Sequence, residues 1–154
     1  MADYFFDTSA LVKRHVTEVG TAWVKSLVHA KAGHTLYIAR ITAVEITSAI
    51  TRRQYGRDLS AAQAGAILGH FRRHLIDRYR VVDLTPALFD KAMLTARKHR
   101  LRAYDAVQLA VALDVNRLQE AAGLGPVTLV SADNDLNKAA QAEQMMVEDP
   151  NMHP

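Results

Sequence analysis

Five acidic residues hold positions where a carboxylate can do chemistry. Asp7 follows the short aromatic run Tyr4-Phe5-Phe6, and Asp133 and Asp135 follow the apolar run Val127 to Val130 in Ser131-Ala132-Asp133-Asn134-Asp135. Asp105 shares a helical face with Leu101, Leu109, Ala112 and Leu113, where a charge is costly unless a cation or a set of donors compensates it. Glu45 shares its face with Ile41, Thr42, Ser48, Ala49 and Arg52, small or polar residues that leave the carboxylate accessible. Acids gathered without His or Cys suit a hard oxygen-liganded cation, Mg²⁺ or Mn²⁺, rather than zinc. Each acid also has a local alternative. Asp7 and Asp133 can be helix N-caps, Thr42-x-x-Glu45 matches a capping box, and Asp105 can pair with Arg100 or Arg102.

The elements that would position these acids alternate between strand and helix. Strands are expected at Asp3–Asp7, Thr35–Ala39, Arg80–Leu84, Val127–Ser131 and Met145–Glu148. Helices are expected at Thr8–His15, Thr21–Ala30, Thr42–Arg53, from a Ser60 cap to Tyr79, from Pro86, over Ala103–Ala122 and from Asp133. The pattern predicts a three-layer α/β/α domain with a mostly parallel sheet. In such sheets ligands bind beyond the carboxyl ends of the strands, where Asp7 and Asp133 fall.

Charge divides unevenly. Residues 52–102 carry twelve Lys and Arg against four acids, and residues 103–154 carry two against eight, a basic middle beside an acidic end. Arginine dominates the middle and suits bidentate phosphate contacts, although a solvated helix face has the same composition. The absence of cysteine excludes disulfides, a thiolate nucleophile and Cys-ligated metals. No apolar run approaches the ~20 residues needed to span a bilayer, and the N-terminus lacks the basic and apolar regions of a signal peptide, so a cytoplasmic single-domain protein is expected. His70 and His74 stand one turn apart without an accompanying acid and read as surface residues; Trp23 and Met145-Met146 read as core. Ser9 and Ser131 have no neighbouring His, and no Gly-Lys-Ser/Thr phosphate loop occurs.

Four segments carry a resemblance. Phe6-Asp7-Thr8-Ser9-Ala10-Leu11-Val12-Lys13, Thr42-Ala43-Val44-Glu45-Ile46, Ala103-Tyr104-Asp105-Ala106-Val107-Gln108-Leu109-Ala110 and Leu129-Val130-Ser131-Ala132-Asp133-Asn134-Asp135-Leu136 resemble the four motifs of PIN domains, in the family's order and spacing. The resemblance implies a single PIN domain over residues 1–150 with a short tail at 151–154, and a five-stranded sheet of order 3-2-1-4-5. It implies a metal-dependent endoribonuclease, and at this length a VapC-type toxin of a toxin–antitoxin pair: a homodimer inhibited by a cognate antitoxin. The family's acidic quartet falls on Asp7, Glu45, Asp105 and Asp133, with Asp135 as an additional acid and Thr8, Ser9 and Ser131 supporting the metal or its waters. Water, rather than a ribose hydroxyl, would attack, leaving a 5′-phosphate and a 3′-hydroxyl. Arg52, Arg100 and Arg102 would contact RNA phosphates, Arg52 being best placed by helical offset. The rival readings are a PIN nuclease of RNA processing without an antitoxin, a non-catalytic module that occludes RNA, and a phosphatase-type α/β domain. The last needs an acid where Ser9 stands.

Overall fold

The direction in which each strand residue points decides the layers. In the computed structural model, which describes residues 1–154, β1 (Asp3–Phe6) buries Phe5 and Phe6 completely on opposite faces of the sheet. Phe6 packs with Leu36, Ile38 and Val130 against Leu11, Val24, Leu27, Ile46, Ile50 and Phe71. Those helical residues belong to α1 (Thr8–Leu11), α2 (Thr21–Val28), α3 (Ile41–Tyr55) and α4 (Ala61–Asp77), which form one outer layer. Phe5 packs with Ala39, Val127 and Leu129 against Leu88, Leu109, Val115, Leu136 and Ala140. These come from α5 (Pro86–His99), α6 (Ala103–Ala121) and α7 (Asn134–Ala142), the opposite layer.

β1 is the central strand. It pairs with β2 (Thr35–Ala39) and β4 (Val127–Val130), and β3 (Arg80–Val82) and β5 (Met146–Glu148) lie outside them. The order is β3-β2-β1-β4-β5, all parallel, as the resemblance implies. The chain leaves β1 towards β2 and later returns to its other side at β4. The switch point therefore lies between the carboxyl ends of β1 and β4.

Several expectations shift for local reasons. The helix expected over Thr8–His15 is one α turn followed by a 3₁₀ turn, Val12–Arg14. Trp23 packs against the core from its margin, partly buried, and its ring also stacks on His153 with centroids 4.1 Å apart. Residues 151–154, expected as a tail, are tied down by that stack, by a 3₁₀ turn at Pro150–Met152 and by a 3.0 Å contact between His153 and Glu148. Met145 is buried, but Met146 is 55% exposed, since an outermost strand covers only one of two successive side chains. His70 and His74 are partly buried beside His15 and Tyr79 rather than free on the surface; burial lowers both ring pKa values, and Arg14 lowers both further, joined by Arg73 at His70 and by His70 at His74.

Gly20 precedes α2 with φ +84°, and an added Cβ would run into the carbonyl group of Pro150. Gly20→Ala is expected to destabilise the fold by about 2 kcal/mol or more, through left-handed strain plus the clash. A urea titration should show a lower midpoint at unchanged slope; an unchanged midpoint would contradict the packing of the C-terminal turn.

Candidate active site

The first acid is held by both central strands. The Asp7 amide donates to Val130 O at 3.0 Å, which continues the β1–β4 pairing one residue beyond the strand. Its carboxylate then caps α1: Oδ2 accepts from the Ser9 amide at 3.2 Å, the Ser9 hydroxyl at 2.5 Å and the Ser131 hydroxyl at 3.3 Å. Ser9 Oγ in turn accepts from the Ala132 amide at 2.9 Å, and Ser131 Oγ from the Asp133 amide at 3.1 Å. The two serines thus link the ends of β1 and β4 around one carboxylate. Asp7 is only 4% exposed, and burial pushes its pKa up to about 6 against the pull of the Ser9 hydrogen bonds, with the charge of Glu45 adding to the rise.

Asp133 caps α7, accepting from the Leu136 amide at 2.9 Å. Asp105 lies in the first turn of α6 and is partly buried. Its pKa is also pushed up to about 6, first by burial and then by the charges of Asp133 and Asp7, while Arg102 pulls the other way. Asp135, exposed in the first turn of α7, adds a smaller repulsion. Asp7 and Asp133 are therefore caps and near neighbours of Asp105 at once. Asp105 makes no direct ion pair with Arg100 or Arg102.

Glu45 is held from a different direction. Its Oε1 accepts from the Thr8 hydroxyl and from Gln108 Nε2, both at 2.9 Å. Gln108 is completely buried, and the same amide nitrogen reaches Thr42 Oγ1 at 2.8 Å. The capping box expected at Thr42-x-x-Glu45 does not form. α3 begins one residue earlier, with Arg40 at the cap, so Thr42 lies inside the first turn, fully buried beneath Gln108. Gln108 was not among the expected site residues. Its signal was an uncharged amide one turn beyond Asp105, next to Leu109 on the inward side of α6. Asn137 is similar: buried in α7, it donates to Ser131 O at 2.9 Å and steadies the loop carrying Asp133.

The basic middle of the chain separates into used and free side chains. Arg53 pairs with Glu18, Arg40 with Asp83, Lys91 with Asp114 and Lys98 with Glu143. Arg78 is spent on the carbonyls of Val28 and His34. Arg52, Arg100 and Arg102 have no ion-pair or side-chain hydrogen-bond partner. Arg52 lines a cleft of about 320 Å³ with Thr8, Glu45 and Tyr104, and Arg100 lines another of about 340 Å³ with Asp135 and Lys138.

The donor chemistry fits a hard divalent cation: the available ligands are carboxylate and hydroxyl oxygens, and the ionisation of Asp7 and Asp105 is opposed by burial and by neighbouring carboxylates. No three acidic or histidine side chains come close enough to grip one ion together. The expected quartet is thus not drawn together into one closed ligand set.

A family model described as the PIN domain matches residues 4–142. No curated protein matches the chain by sequence. Solved structures resemble it in fold. PAE2754 of Pyrobaculum aerophilum is 20% identical, with a TM-score of 0.64 over 98% of this chain and 85% of that one. VapBC2 of Rickettsia felis, bound to a DNA fragment from its promoter, is 14% identical with a TM-score of 0.62 over 95% and 97% of the two chains. VapC20 of Mycobacterium tuberculosis, described as a sarcin–ricin-loop-cleaving toxin, is 19% identical with a TM-score of 0.62 over 89% and 95%.

The raised carboxyl groups set a sign for the pH dependence. Between about pH 4 and 6 the folded chain retains protons on Asp7 and Asp105 that the unfolded chain has released, so stability falls as pH rises through that window. Asp7→Asn removes the buried charge and should raise stability at pH 7.5 in EDTA, by up to about 3 kcal/mol, with little gain at pH 4. Mg²⁺ at pH 7.5 should raise the parent's Tm and leave that of Asp7→Asn nearly unchanged. Thermal melts showing the same Asn effect at both pH values would contradict the electrostatic account.

Proposed function

This chain belongs to the PIN-domain family, and from that premise we propose that it is a Mg²⁺-dependent endoribonuclease, with Mn²⁺ able to substitute, acting as the toxin of a VapBC-type pair. The observation that carries this reading is the convergence of Asp7, Asp105 and Asp133 on the switch-point edge of a parallel sheet, where the charges of Asp133 and Asp7 both bear on Asp105. Acids so arranged call for a cation, and unpaired arginines beside them call for a polyanion. Likeness in fold to VapC20, described as cleaving the sarcin–ricin loop, supports RNA as the substrate, and likeness to VapBC2 supports an antitoxin partner. No helix of the chain is long and apolar enough to cross a membrane, and we assign the protein to the cytoplasm as a homodimer.

In this mechanism Asp7, Glu45, Asp105 and Asp133 are the catalytic acids and the metal ligands, with Asp135 as an outlying ligand. A divalent cation bound there would supply Lewis acidity towards the phosphodiester and offset charge on its non-bridging oxygens. Ser9 and Ser131 hold Asp7 in one rotamer. Thr8 and Gln108 do the same for Glu45, leaving its second oxygen, Oε2, to orient the attacking water. Arg52, Arg100 and Arg102 bind phosphates on either side of the reacting one. Attack of water on phosphorus breaks the P–O3′ bond, and the products carry a 5′-phosphate and a 3′-hydroxyl.

End-labelled RNA incubated with the protein should give discrete products in Mg²⁺ or Mn²⁺ and none in EDTA. Asp7→Asn should cut roughly 100-fold more slowly or worse. Cleavage that survives EDTA, or a variant as fast as the parent, would overturn the assignment.

A further inference from the structure

Beside Glu45 lies a surface that the acidic site does not use. One side of the 320 Å³ cleft is a stripe of α3 formed by Val44, Glu45, Ser48, Ala49 and Arg52, offsets that share one helix face. The other side is the ring of Tyr104, one residue before Asp105 at the start of α6. Val44 is 65% exposed and Tyr104 55%, an apolar pair left open to solvent at the edge of a charged site. Ser48 and Ala49 between them are small, and Arg52 has no partner.

This arrangement sorts the chemistry of what can enter. A phosphate lodged in the inner part of the cleft would face the Glu45 carboxylate at close range, whereas an uncharged planar ring would not. Unpaired nucleobases stack on exposed aromatic side chains, and the gain depends little on sequence because every base has a π-face. Arg52 lies two helical turns from Glu45, at the far end of the stripe, where a phosphate meets a cation instead of an acid. We propose that Tyr104 and the α3 stripe form a subsite for one unpaired nucleobase next to the scissile bond, with Arg52 holding a phosphate of the same strand. The inference rests on the ribonuclease reading above and adds a requirement for single-stranded substrate at that nucleotide.

Tyr104 also borders a wholly apolar cleft of about 300 Å³ with Ile41, Phe89 and Met93, so a contact between two copies of the chain is the competing use of the ring. A dye-labelled single-stranded RNA oligonucleotide in EDTA, titrated with the full chain over a range of KCl concentrations, separates the uses. Tyr104→Ala should weaken binding roughly 5- to 100-fold with the salt slope unchanged, as expected for lost stacking. Tyr104→Phe should bind as the parent does. Arg52→Gln should instead flatten the slope of log K against log salt by about 0.7, the signature of one lost phosphate contact on a single strand. Because the ring is half exposed, Tyr104→Ala should melt within a few degrees of the parent. The proposal is overturned if Tyr104→Ala binds RNA as tightly as the parent, or if it changes only the sedimentation behaviour of the protein, which would make the ring an interface between copies. A parent chain that neither binds nor cuts RNA would remove the ribonuclease reading itself. A parent that cuts RNA regardless of Tyr104 would remove only the base subsite.

Discussion

A carboxylate that is 4% exposed at the end of a central strand carries a large desolvation cost, and the surroundings of Asp7 are organised around it. Three donors converge on one of its oxygens, two of them hydroxyls from opposite sides of the β1–β4 junction. These donors depend on the sheet. Ser131 is placed by its amide bond to Glu148 O of β5, and Asp7 by its bond to Val130 O of β4. Strand pairing and carboxylate solvation are thus parts of one network. The donors lower the Asp7 pKa, yet burial outweighs them and leaves it near 6. What the protein's own donors supply therefore does not fully offset the cost of burying the charge.

The topology explains how several acids come to share that deficit. Asp7 caps α1, Asp133 caps α7, and Asp105 stands in the first turn of α6, so three helix N-termini meet at one edge of the sheet. Each acid is locally favoured there, because the unpaired amides and the helix dipole attract negative charge. Repulsion arises between elements, from Asp133 and Asp7 on Asp105 and from Glu45 on Asp7. A cap and a member of a charged cluster are consequently not competing descriptions of Asp7 or Asp133, since the same local preference that fixes the rotamer brings the charges together.

This hierarchy also governs what could be read from the sequence. The alternation of strand and helix, the three layers and the acids at the strand ends follow from local patterning, whereas the strand order is legible only through the family resemblance, and Asp105 betrays itself by standing on an apolar stripe. Gln108 carries the same kind of signal more faintly, because an amide is cheaper to bury than a charge and its partners, Thr42 and Glu45, lie more than sixty residues away. Adjacent residues with identical local signals part company in the fold: Arg53 is bound to Glu18, and Arg52 is bound to nothing. Thr42-x-x-Glu45 fits a local motif, but a one-residue shift in the start of α3 turns the expected cap into a buried hydroxyl. Trp23 sits on the right helical stripe and packs against the core, while its stack on His153 is a contact that helical periodicity cannot foresee.

The uneven charge of the chain resolves in space along the same lines. Acids of the last third take up part of the positive charge on the α5–α6 layer, where Asp114 pairs with Lys91 and Arg117, and Glu143 with Lys98 and His99. These exposed pairs contribute little stability, but they cancel charge that would otherwise spread an attractive field over that face. Of the unpaired arginines, which also include Arg57, Arg72, Arg73 and Arg97, Arg52, Arg100 and Arg102 stand beside the acids. A polyanion approaching this edge meets attraction at the rim and repulsion at the centre. A cation among the carboxylates would remove the conflict, so in the proposed nuclease metal and polyanion would each strengthen the site's hold on the other, with a reciprocal coupling that linkage requires.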